Sequence, residues 1–171
     1  VGCGFLTASL NTRSNLAEDI VPPASSQIYD IHGNEIANIH AAENRRPVSI
    51  NEIPQNLQNA FIAVEDNRFY EHIGIDPRGI VRAVWANIRG REVTEGGSTI
   101  TQQLAKNAYL TQDRTLKRKV QEVFLALQLE RQYTKQEILE LYLNQIYFGQ
   151  GAYGVQAAAR TYFGKNVKDL T

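Results

Sequence analysis

Residues 56–74 read NLQNAFIAVEDNRFYEHIG. Leu57, Phe61 and Val64 recur at i, i+4 and i+7, the spacing of one helix face. Pro54 stands where a first helical turn tolerates proline. The segment reads as a helix that buries Phe61, Ile62 and Val64 and then ends on two acids, Glu65 and Asp66. Acids are disfavoured at a helix C-terminus, so helix stabilisation does not account for the pair. A carboxylate beside apolar neighbours has its charged form disfavoured, which predicts a raised pKa for Glu65. Such a group is suited to take a proton from a hydroxyl near neutral pH. The plain alternative is a helix end in solvent. His72 reads as a hydrogen-bonding core or turn residue before it reads as a metal ligand. Asn67, Arg68 and Glu71 read as shaping the loop.

Helical signals continue downstream. A second helix starts at Pro77, with Ile80, Val81, Val84, Trp85 and Ile88 inward and Gly90 as its stop. Residues 91–97, REVTEGG, read as a mobile loop around paired glycines. Ser98 offers an N-cap hydroxyl to TITQQLAKNAYL, and Asp113 to a helix running to about Gln132. Thr134 and Glu137 make a capping-box pair for KQEILELYLNQIYF. Gly149, Gly151 and Gly154 break the chain before VQAAARTYF, which stops at Gly164. The aromatics of LYLNQIYFG and RTYFG read as core, the alternative being that some face lipid.

Upstream the pattern changes. In QIYDIHGNEIANIH, Ile28, Ile31, Ile36 and Ile39 flank His32-Gly33-Asn34, predicting a β-hairpin. Residues 11–27 are polar and end in VPPASS, an extended linker. VGCGFLTASL is apolar but too short to span a bilayer. It fits the tail of a membrane anchor, the end of a lipoprotein cleavage box or an ordinary apolar N-terminus. The expected division is 1–27 anchor remnant and linker, 28–50 hairpin segment and 51–171 helical domain. The chain starts at Val1, has no methionine and ends in VKDLT, so the sequence predicts a piece of something longer with an incomplete C-terminus.

With 171 residues, 43% of them hydrophobic, the chain can build a real core. Its 18 basic and 18 acidic side chains balance, which argues against nucleic acid as a partner. A single cysteine, Cys3, permits no intrachain disulfide.

Local charge is more telling. Along DRTLKRKVQEVFLALQLERQ, residues 113–132, Leu116, Val120, Val123, Phe124 and Leu127 gather on one side at about 100° per residue. Arg114, Arg118, Gln121 and Glu122 gather opposite, with Lys119 on the flank. The bland reading is a solvated face carrying an Arg118–Glu122 pair. With Lys106 on the preceding helix, the cations can instead converge on a multiply charged oxyanion such as a pyrophosphate. A cradle of that kind stabilises a departing diphosphate. Gln102 and Gln103, in STITQQLAKN, suit sugar hydroxyls and amides because a carboxamide both donates and accepts.

Five segments occur in order: EDNRFYEHIG, GGSTITQQLAKN, RKVQE, KQEILELYLNQIYFG and GVQAAARTYFGK. Together they resemble the signature motifs of the peptidoglycan glycosyltransferases, found in class A penicillin-binding proteins and monofunctional transglycosylases. The resemblance implies a mainly α, lysozyme-like fold with a membrane-touching lobe. It implies polymerisation of lipid II into glycan strands at the outer face of the bacterial cytoplasmic membrane, with inversion of the sugar anomer and release of undecaprenyl diphosphate. Glu65 matches the catalytic acid of the family, which deprotonates the acceptor 4-hydroxyl. Glu122 matches its second acid, which orders the cations or a divalent metal, Mg or Mn, near the diphosphate. Lys106, Arg114, Arg118 and Lys119 match diphosphate-binding positions. Ser98, Gln102 and Gln103 match sugar or phosphate contacts, and Arg82 is a further candidate. Some members carry lysine where this chain has Gln121, so one cation is missing from the cradle. Residues 25–45 resemble the linker of bifunctional members, which implies a C-terminal transpeptidase domain in the parent protein. Two rivals stand beside this reading: a glycan-cleaving enzyme on the same type of fold, and a non-catalytic helical binding module for anionic lipid or nucleic acid.

Overall fold

Hydroxyl side chains set the starts of four of the helical segments among the described residues. Ser49, Thr99 and Thr134 each close a capping box, with Glu52, Gln102 and Glu137 respectively. The Thr134 contacts hold the Glu137 carboxyl below its ordinary range, backbone hydrogen bond first. The computed structural model describes residues 26–33, 35–39, 44–88, 97–110 and 115–170. The architecture is mainly α. The helices are α1 (Gln55–Glu65), α2 (Pro77–Ile88), α3 (Ile100–Tyr109), α4 (Leu116–Gln132), α5 (Lys135–Gln145) and α6 (Val155–Phe163). Single helical turns occur at Ile50–Glu52 and Val167–Asp169. Strands β1 (Ser26–Tyr29) and β2 (Glu35–Ile39) pair antiparallel, with Gly33 at φ 82° in the turn between them. Strands β3 (Asn44–Arg45) and β4 (Ala152–Tyr153) form a short parallel pair.

The core lies where α3, α4 and α5 meet. Ile100 and Leu104 of α3, Leu129 of α4, and Ile138, Leu139 and Leu143 of α5 are fully buried, with Phe69 entering from the loop after α1. The approach to α1 is clamped to α5 by polar contacts. Asn144 exchanges two hydrogen bonds with the Val48 backbone, and Glu140 accepts from the Ile50 N–H at 2.7 Å. Gln58 of α1 donates to the Ile50 and Ile53 carbonyls, so a buried carboxamide closes that turn.

Gly154 initiates α6 at φ 81°, with its N–H donating to the Ile146 carbonyl. A Cβ there would stand 2.6 Å from the Asn144 carbonyl oxygen, a backbone atom that cannot swing away. Gly154→Ala is expected to destabilise the fold by about 2–4 kcal/mol, summing left-handed strain and the clash. Urea unfolding measures this; a shift below about 0.5 kcal/mol would show that the strand–helix junction relaxes freely.

Several expectations are corrected. Thr99, not Ser98, caps α3, and Thr115, not Asp113, caps α4. Val64 is 81% exposed rather than buried, because the last turn of α1 faces a cleft instead of the core. Ile80, Val81 and Trp85 of α2 are exposed rather than inward. Tyr142 is core, but Tyr147, Tyr162 and Phe163 are exposed.

On α4 it is the bland reading, a solvated charged face, that fails. The buried positions of α4 are Glu122, Ala126 and Leu129, while Leu116 (89% exposed), Val120 and Phe124 face outward. The charged side is therefore inward. Gly74 permits the loop after α1 to approach α4 closely, since a Cβ there would stand 3.0 Å from the Ala126 carbonyl oxygen. Glu122 is tolerated inside because cations accompany it. The anchor remnant, the Gly90 stop, the loop at 91–96 and Arg114 lie outside the described residues.

Candidate active site

The exit of α1 places two adjacent carboxylates in different roles. Asp66 turns inward, and both its oxygens lie 2.9 Å from His72 Nε2. It also accepts from the Ile100 N–H at 3.1 Å, where the positive end of α3 favours an anion. His72 Nδ1 accepts from the Gly74 N–H at 3.2 Å, so its proton sits on Nε2 and is donated to Asp66. His72 is thus committed to hydrogen bonding and pins the loop after α1. That loop is held again by an Arg68–Asp76 ion pair and by Thr99, which donates to the Gly74 carbonyl at 2.7 Å.

Glu65 turns the other way. Half-buried, it accepts from Gln103 Nε2 at 2.8 Å. It borders a cleft also lined by Val64, Asp76, Gly79, Arg82 and Ser98. Three positions singled out in the sequence, Glu65, Arg82 and Ser98, therefore share one cavity.

A chain of contacts extends from Ser98 to the cations. Lys119 Nζ donates to Ser98 Oγ at 2.8 Å and to Glu122 Oε1 at 2.5 Å. Arg118 donates to the other Glu122 oxygen at 3.1 Å. Glu122 is 2% exposed, so this carboxylate is a buried counter-charge that fixes two cations one turn inside α4. Lys119 is the more open of the two cations, with 42% of its side chain exposed.

The two glutamines separate. Gln102 is 1% exposed, and its oxygen closes the α3 capping box, so it faces away from solvent. Gln103 reaches Glu65. Lys106 lies one turn further along α3 from Gln103, on the same helix side, and is half-buried. Tyr142 of α5 was not singled out by sequence reasoning; its hydroxyl donates to Gln103 Oε1 at 3.2 Å. Burial, with the Glu65 charge adding, holds its phenol above the ordinary range. Its placement at i+4 from Ile138 in a helical motif was the signal available, and it pointed only to core.

A divalent cation fits the described donors poorly. Both Glu122 oxygens are engaged by cations, and the described residues hold no cluster of three acidic, histidine or cysteine groups able to hold a metal.

A model of the transglycosylase family matches residues 32–171. The chain belongs to the transglycosylase family. Its relatives are penicillin-binding proteins. It is 60% identical over 148 residues to penicillin-binding protein 1F of Bacillus subtilis, covering 86% of this chain and 21% of that protein. It is 53% identical over 156 residues to penicillin-binding protein 1A of Aquifex aeolicus, covering 91% and 21%. It is 54% identical over 145 residues to penicillin-binding protein 1A of Escherichia coli, covering 85% and 17%. The chain spans about a fifth of the length of these relatives. The transglycosylase match and the mainly helical, lysozyme-like architecture agree.

Proposed function

We propose that this transglycosylase domain polymerises lipid II into β-1,4-linked glycan strands and releases undecaprenyl diphosphate, as part of cell-wall synthesis. One observation carries the reading. A half-buried carboxylate, Glu65, opens onto the same cleft as Ser98, whose hydroxyl is held by Lys119 of the Arg118–Lys119–Glu122 group. Arg82 lines that cleft directly, and Lys119 reaches its wall through Ser98.

Glu65 takes the proton of the acceptor 4-hydroxyl while that oxygen attacks the anomeric carbon of the donor sugar. The bond to the diphosphate breaks on the opposite face, so the anomer inverts. The negative charge gathering on the diphosphate is met by Lys119 and Arg118, with Lys106 and Arg114 assigned to the same anion. Ser98 and Arg82 contact sugar or phosphate from the cleft wall, and Gln103 steadies Glu65. Gln102 acts indirectly, by fixing the start of α3. Glu122 does not react; it sets the positions of the two cations.

A lipid-linked donor also gives a reason for the uncovered apolar side chains. Both α2 and α4 contribute polar groups to the site and leave Val81, Trp85, Leu116 and Val120 exposed. That is a surface suited to the outer face of the cytoplasmic membrane. No helix among the described residues is long and apolar enough to cross a membrane. The parent protein is proposed to carry a transpeptidase domain, given the names and lengths of its relatives.

The test is incubation of the full-length protein with lipid II, followed by separation of products. Glycan strands and undecaprenyl diphosphate are expected. Cleavage of finished glycan without polymerisation would replace this reading with that of a glycan-cutting enzyme. Lipid binding without turnover would replace it with that of a binding module.

A further inference from the structure

Glu65, Gln103 and Tyr142 come from three helices, α1, α3 and α5, and form a single hydrogen-bonded line. Its direction is set by elementary donor and acceptor counts. An ionised carboxylate only accepts, so Gln103 must turn its NH2 group to Glu65. Its carbonyl oxygen then faces Tyr142, and the phenol must donate. One arrangement satisfies all three groups. In the flipped carboxamide, an oxygen would face the Glu65 carboxylate and the NH2 group would face the phenol.

We propose that Tyr142 is a positioning residue: its hydroxyl locks the Gln103 carboxamide so that the NH2 group stays turned to the Glu65 carboxylate. The anchor is firm because Tyr142 is 3% exposed and belongs to the main core with Leu139 and Leu143. Burial keeps its phenol protonated, so it remains a donor throughout the working pH range. Gln103 sits one residue beyond the capping box of α3, which fixes its backbone, so its orientation is set by what its side chain meets. The other charged groups sharing the cleft with Glu65 are Asp66, Asp76 and Arg82. Asp66 is engaged by His72 and Ile100, and Asp76 by Arg68, so the Tyr142–Gln103 line reaches Glu65 without passing through them.

This inference rests on Glu65 being the base. Losing the lock exposes the carboxylate to the flipped carboxamide, which disfavours its charge. The charged form that accepts the proton is then held less firmly, so the fall in activity on acidification begins at a higher pH. Tyr142→Phe in the full-length protein is expected to move the acid limb of kcat upward by about 0.5–1 pH unit, a three- to tenfold loss of rate on that limb. The plateau at high pH should stay within about twofold and KM for lipid II should hold, because the hydroxyl touches neither substrate nor cation.

Gln103→Met reads the same link from its other end and must move the limb likewise. The double variant must not exceed the larger single shift. A limb unmoved in either single variant, or shifts that add in the double, overturns the proposal, and lowered thermal stability with an unchanged pH profile does the same. Glu65→Gln run alongside separates the two levels. If it polymerises at the parental rate, the assignment of the base fails. If it is inactive while the Tyr142→Phe limb stays in place, only the positioning role fails.

Discussion

Glu65→Gln is expected to reduce lipid II polymerisation by the full-length protein about a thousandfold, in the middle of the range for losing a general base. The substitution keeps the shape and volume of the side chain, so packing is not at issue. It removes the ability to accept a proton and replaces an acceptor-only group with one that also donates. The new amide can turn its own carbonyl oxygen to the Gln103 NH2 group, so the local network survives with Gln103 in place. The position is half-buried and lies at the end of α1, where no core contact depends on charge. Thermal unfolding should therefore move little, and binding of lipid II should persist, since the cations are untouched. The measurement is initial-rate polymerisation with product separation, beside a melting curve. Parental rates would remove Glu65 from the mechanism. A thousandfold loss accompanied by a collapse in melting temperature would show that the charge is structural.

The sequence carried helix identity well and helix orientation poorly. Thr134 with Glu137, Pro77 at a helix start, and Gly164 after VQAAARTYF are local signals, and each marks the element it suggests. Local chemistry decides a cap because the partner lies within three residues. Which of two adjacent hydroxyls does the capping is finer than that signal. Ser98 and Thr99 compete for the start of α3, and Lys119, 21 residues away, takes the Ser98 hydroxyl. Orientation depends on neighbours that periodicity does not name. Periodicity split α4 into an apolar and a charged side, and the rule that the apolar side faces inward fails there, since α4 buries Glu122, Ala126 and Leu129. That rule presumes that apolar area alone selects the buried face. Here the interior supplies partners for a carboxylate, and the outward stripe suits an apolar environment.

The site was legible in part for the same reason. Glu65 stood out because it breaks a helical rule, and Arg118, Lys119 and Glu122 because they cluster within five residues. Tyr142 was hidden, because its hydroxyl meets a residue 39 positions away and its ring is ordinary core. Departures from the core pattern, such as the charged buried face of α4 and the exposed Val64, fall around the cleft.

Glu122→Ala should produce the largest loss of stability among single changes at the site. The carboxylate is buried, and each oxygen holds a different cation. Removing it leaves Arg118 and Lys119 facing one another without a counter-charge. Breaking a buried pair from one side costs about 3–5 kcal/mol. The lower end applies here, because Lys119 is open enough to turn back into water while Arg118, with 17% of its side chain exposed, is not. For a domain of this size, about 3 kcal/mol lowers the melting temperature by roughly 6–12 °C. Glu122→Gln keeps volume and an acceptor oxygen, so its loss should be clearly smaller. Both variants should also slow polymerisation, because a Lys119 released from Glu122 no longer holds the Ser98 hydroxyl at the cleft wall. The decisive comparison is the double variant Arg118→Ala/Glu122→Ala, in which the orphaned guanidinium is gone. If Glu122 acts by neutralising and placing Arg118, the double variant recovers part of the stability lost in Glu122→Ala, and its rate falls no further than that of Arg118→Ala alone. Losses in stability and rate that simply add would mean that Glu122 works independently of the cations beside it, and the proposed division of labour between the two acids would fall.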